Sequence, residues 1–135
     1  MSNSVNTSYL LARAAVATSM LGHGLVRFPK LTAFSQWMTG QFQKSALPEA
    51  LVQPFSYAVP FIEFAVGLFL LIGLFTRASL VAGGILMILL IFGSSMIEEW
   101  GSIPSQLIHA AFFAGLLAVP EKYNHYSADR LLGNR

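Results

Sequence analysis

The stretch "VPFIEFAVGLFLLIGLFTR", Val59 to Arg77, decides the fold. Between Pro60 and Phe75 it is apolar apart from one carboxylate, Glu63. A helix rises about 1.5 Å per residue, and roughly 20 apolar residues cross the hydrocarbon layer of a bilayer. The run therefore reads as part of a membrane span. An acid placed inside such a span must be paired, protonated or turned toward a wet cavity. The apolar run thus addresses the fold, and Glu63 raises the question of function.

The rest of the chain agrees with a membrane setting. Of its 135 residues, 55% are hydrophobic and only 10% are charged, against about 25% charged in an ordinary soluble domain. A soluble fold of this length has too little interior to hide so much Leu, Ile, Phe and Val. The length suits one unit, residues 1–135. The formal charge of +2 comes from scattered residues that form no basic tract, which argues against a nucleic-acid partner. The absence of cysteine excludes dithiol chemistry, iron–sulfur clusters, c-type haem and thiolate metal sites.

Four apolar segments stand out at residues 9–28, 54–75, 78–97 and 103–119. Each falls within or near the 17 to 25 residues that a span requires. Asn6, Thr7 and Ser8 are the expected caps of the first helix, and Pro54 and Pro104 stand near the expected starts of the second and fourth. Pro60 either frees the Ser56 carbonyl within the second helix or begins that helix, which would put Glu63 in its first turn. Thr76-Arg77 leaves almost no loop, so the second and third spans form a hairpin. The first span lacks the leading Lys or Arg and the cleavage site of a signal peptide, and is kept as a span. The expected fold is all-α, an integral membrane four-helix antiparallel bundle. Small residues at Gly67, Gly83, Gly84 and the Ala110, Ala114, Ala118 stripe, with Ala111 and Gly115 beside it, suit close helix contacts in lipid.

The first connection differs. In "KLTAFSQWMTGQFQKSALPEALVQ", Lys30 to Gln53, the residues Leu31, Phe34, Trp37, Met38 and Phe42 recur at helical spacing. Such a segment predicts a short interfacial helix over 31–45, a surface cover or a lid. Arg77, Lys122, Arg130 and Arg135 lie on the side of both termini; Arg27, Lys30 and Lys44 lie on the other. The excess puts both termini in the cytoplasm under the positive-inside rule.

On this topology the unusual polar groups gather in the outer half. Glu63 lies about 13 Å below the outer boundary at helical rise. His23 and Arg27 are four residues apart and share a face, as do Gln106 and His109, three apart. These five residues are the candidate ligand-binding set. An alternative pairs Arg13 with Glu63 as a structural tie between the first two spans, although Arg13 stands near the inner end. His23 and His109 are each also explained by a bond to a neighbouring group. Two histidines on separate helices are thin grounds for haem b, and no paired-ligand metal motif is present.

The segments "LLARAAVATSMLGHGLVRFPKL" and "PFIEFAVGLFLLIGLFTRASLVAG" resemble the DoxX family of small bacterial four-span membrane proteins. The marks are Arg13, His23-Gly24 with Arg27, and Pro60, Glu63, Gly67 and Gly73 before Thr76-Arg77. The family is named for a subunit associated with a thiosulfate:quinone oxidoreductase. The resemblance implies an inner-membrane protein linked to quinone chemistry, with a quinone or lipid as ligand and a redox partner subunit or second copy as partner. No flavin, nicotinamide or dithiol motif appears, so electrons would come from a partner. No catalytic residue is assigned. Two function classes follow, a quinone-linked redox or accessory subunit and a non-catalytic assembly or anchor protein whose polar cluster is structural.

Overall fold

A computed structural model describes residues 2–133. Its principal elements are helices α1 (Ser2–Arg27), α2 (Leu31–Phe42), α3 (Glu49–Ile72), α4 (Thr76–Met96) and α5 (Ile103–Ala118), followed by a single short helix, α6 (Ala128–Leu131). No strand occurs among the described residues.

The helix limits correct several expectations. α1 begins at Ser2, before the expected caps Asn6, Thr7 and Ser8. Thr7 instead bonds back to the Asn3 carbonyl at 2.9 Å, the arrangement by which a hydroxyl is carried inside a helix. α3 begins at Glu49, and both Pro54 and Pro60 lie within it. Neither proline starts the helix, and each deprives the carbonyl four residues earlier, Ala50 and Ser56, of its N–H partner. Glu63 therefore lies deep in α3, far from the favourable dipole of a first turn. α3 ends at Gly73, whose φ of 71° is left-handed, a conformation natural to glycine. α2 falls within the segment expected to be helical and stops at Phe42.

Close approach of backbones sets the packing. α1 packs chiefly on α3, α4 on α5, and α2 on α3. A Cβ on Gly24 would stand 2.7 Å from the Phe64 backbone nitrogen, inside any real contact. Gly67 is equally crowded by the Leu21 backbone. Position 24 thus meets 64 and position 21 meets 67, so α1 and α3 run in opposite senses. Between α4 and α5, Phe113 fills the space above Gly83. Ser35 of α2 and Ser56 of α3 share a hydrogen bond of 2.6 Å. The core comprises Val16, Met20, Val59, Leu70, Leu86 and Phe113 with their neighbours.

The small-residue stripe on α5, a pattern that suits contacts within one chain or between two, turns mostly outward. Ala110 packs against the core, whereas Ala111, Ala114, Gly115 and Ala118 are exposed. The side of α5 that packs inward carries Phe113 and Leu116. Apart from Ala110, the stripe is therefore not part of the core packing of this chain.

α3 and α4 are long and apolar enough to cross a membrane, and only 39% and 33% of their most apolar stretches are buried. Phe61, Leu68, Ile85, Ile88 and Phe92 face outward. A soluble core helix would turn such residues inward. α5 is apolar but has 16 residues.

Residues 119–133 fold back onto the α3–α4 turn. The Asp129 carboxylate accepts from the N–H groups of Phe75 and Thr76, both at 2.8 Å. The Asp129 N–H donates to the Gly73 carbonyl at 2.9 Å. This end of the molecule also receives Arg13.

Candidate functional site

Glu63 is 3% exposed, and its partner is Arg27. The Arg27 Nη1 donates to Glu63 Oε1 at 2.6 Å and to Oε2 at 2.5 Å. The guanidinium carbon also stands 4.4 Å above the Phe34 ring of α2. One cation thus joins three helices: α1 carries it, α3 supplies the carboxylate and α2 the aromatic face. Continuous helix through Arg27 puts it one turn beyond His23, and the close α1–α3 contact at Gly24 brings it within reach of Glu63.

Arg13 does not pair with Glu63. It is 2% exposed at the opposite end of α1, where Nη1 donates to Asn124 Oδ1 and Nη2 to the Tyr126 carbonyl at 2.6 Å. The correction has a simple cause. Arg13 and Arg27 are fourteen positions apart on one helix, about 21 Å at helical rise, so one carboxylate cannot serve both.

The two membrane histidines meet. Their ring centroids are 6.2 Å apart, edge to face. His109 Nδ1 lies 2.7 Å from the Ser105 carbonyl. A carbonyl only accepts, so Nδ1 carries a proton and donates, while Nε2 shares a hydrogen bond with the Ser19 hydroxyl, 2.7 Å away. His23 Nδ1 likewise donates to the Ser19 carbonyl at 2.7 Å, which leaves its Nε2 for another partner. Gln106 donates from Nε2 to Ser94 Oγ at 3.0 Å. Its Oε1 is buried without a partner among the described residues.

All five candidate residues, His23, Arg27, Glu63, Gln106 and His109, line one cavity of about 270 Å³. The remaining wall is mostly apolar and aromatic, with Phe34, Trp37 and Phe42 contributed by α2. Ser19 is the residue that sequence reasoning missed. It lies four before His23, on the same helix face, and that spacing was its available signal. Asn124 and Asp129, which organise the opposite end, had none.

Two apolar helices of membrane length and a part-buried ion pair between helices fit the class of helical membrane proteins. More narrowly, the chain belongs to the DoxX family, whose model matches residues 8–96. It is a membrane protein of the DoxX type. No curated protein and no solved structure gives a significant match. The matched region holds Arg13, His23, Arg27 and Glu63; Gln106 and His109 lie beyond it.

Proposed function

We propose that the protein is a quinone-linked redox or accessory subunit of the inner membrane, a four-span antiparallel bundle with α2 at the interface over the cavity. The observation that carries this reading is the gathering of His23, Arg27, Glu63, Gln106 and His109 around one cavity. The residues fit a quinone headgroup. Its ring suits a cavity with apolar and aromatic walls. Its carbonyls need donors, which the Arg27 guanidinium supplies. Its reduced form carries hydroxyls, which the remaining lone pairs of the Glu63 carboxylate accept. When bound, the quinone supplies the two-electron redox chemistry. The His23 and His109 imidazoles provide groups that hold and exchange protons near it. Electrons come from a partner subunit.

A second reading is favoured by one contact. Both Glu63 oxygens are engaged by Arg27, so the pair is complete as a structural tie, and the protein is then an assembly or anchor protein.

Glu63→Gln separates the two. Removing one member of a fully buried pair costs about 3–5 kcal/mol. The Arg27 side chain is 24% exposed and keeps its contact with Phe34, so the loss should be smaller. The expected result is a modest fall in thermal stability in detergent and loss of co-purified quinone. A strongly destabilised variant, with quinone absent from wild type as well, supports the anchor.

A further inference from the structure

A second cavity lies at the opposite end of the molecule, where residues 119–133 cover the α3–α4 turn. It measures about 890 Å³ and is bounded by Arg77, Lys122, Glu121, Asp129 and Arg130. Its two acids are committed. Glu121 Oε1 pairs with Arg77 Nε at 3.3 Å, and both Asp129 oxygens cap the start of α4. Lys122 and Arg130 form no ion pair among the described residues, so the cavity retains net positive character.

Its apolar side continues into a separate groove. Tyr9, Leu116 and Val119 line the charged cavity and also an apolar groove of about 280 Å³ between α1 and α5. The groove is otherwise bounded by Val5, Ser8, Ala12, Phe112 and Gly115. A basic chamber that opens into an apolar channel on a membrane protein has the polarity of one molecule type. We propose that this composite site holds an anionic phospholipid. Its phosphate sits against Lys122 and Arg130, and an acyl chain lies in the α1–α5 groove. Basic pockets between membrane helices take anionic headgroups for this electrostatic reason. The site is independent of the cavity at Glu63 and of the quinone reading.

Gly115 allows the groove to be tested without disturbing the fold. A Cβ there meets nothing within 4 Å, and leucine is a better helix former than glycine. Gly115→Leu therefore fills the groove alone. Lys122 and Arg130 are exposed, so Lys122→Gln and Arg130→Gln remove charge without opening the core.

The full chain in detergent is titrated with palmitoyl-oleoyl phosphatidylglycerol, phosphatidylcholine of the same chains, and inorganic phosphate, with bound species counted by native mass spectrometry. The expected result is preference for phosphatidylglycerol, weakened about fivefold by each charge removal. Gly115→Leu should weaken both lipids and leave their ratio unchanged. Equal retention of the two lipids, or indifference to Lys122→Gln and Arg130→Gln, overturns the proposal. Phosphate binding as tight as the anionic lipid, unaffected by Gly115→Leu, identifies a soluble phosphate site and overturns it equally.

Discussion

Arg13 and Arg27 show how one residue type on one helix is used in two ways. Arg27 meets a carboxylate. Arg13, buried to 2%, is held by neutral acceptors, the Asn124 amide and the Tyr126 carbonyl, and its Nε lacks a partner among the described residues. Asn124 also donates to Thr76 Oγ1 at 3.0 Å, so it links α1 to the start of α4. Leaving a buried donor unpaired costs about 1–3 kcal/mol, more when the group is charged. Asn124→Ala should therefore lower the melting temperature in detergent by several degrees, at about 2–4 °C per kcal/mol for a domain of this size. His125→Ala, at an exposed neighbouring position, should leave it unchanged. Equal melting temperatures for the two variants would show that Arg13 is held by something other than Asn124. The sequence marks Arg13 as unusual because a cation in an apolar segment is costly. Its partner was not legible, because Asn124 lies 111 residues away in a polar tail without periodicity.

At the scale of elements, apolar runs reveal which surfaces face lipid or core, while hydrogen bonds decide where helices begin. Segments 78–97 and 103–119 nearly coincide with α4 and α5 because apolarity and helix end together there. α1 starts earlier than its apolar run because the mostly polar Ser2–Ser8 is helical, and α3 starts at Glu49 because neither Gln53 nor Pro54 interrupts the helix that Ala50, Leu51 and Val52 already belong to. Gly67 was legible as a close-contact residue; Gly115 carried the same signal and faces open space. The start of α4 depends on Asp129, more than fifty residues later in the chain. An N-terminal cap contributes about 1 kcal/mol. Asp129→Ala should therefore speed amide exchange in the first turn of α4 roughly fivefold, with little change at Leu86 or Met87. Uniform acceleration along α4 would instead mean that the tail supports the whole helix.

Across the whole molecule, the two ends differ in how they use charge, and that difference bears on orientation. Arg77, Lys122 and Arg130 gather beside the α3–α4 turn; Arg135, counted with them from sequence, lies outside the described residues. The other end offers Arg27, Lys30 and Lys44, but Arg27 is consumed by Glu63. Arg77 is likewise paired, with Glu121, so the one-charge excess is unchanged, and the proposal that both termini are cytoplasmic, with the cavity beside Glu63 in the outer half, rests on that count. The chain has no cysteine, so a single introduced thiol reports without background. Ala46 is exposed in the connection between α2 and α3, and His125 is exposed in the tail. In intact cells an impermeant maleimide should label Ala46→Cys, while His125→Cys should react only after permeabilisation. The reverse pattern would place the Glu63 cavity on the cytoplasmic side, where a quinone partner would have to approach from the cell interior.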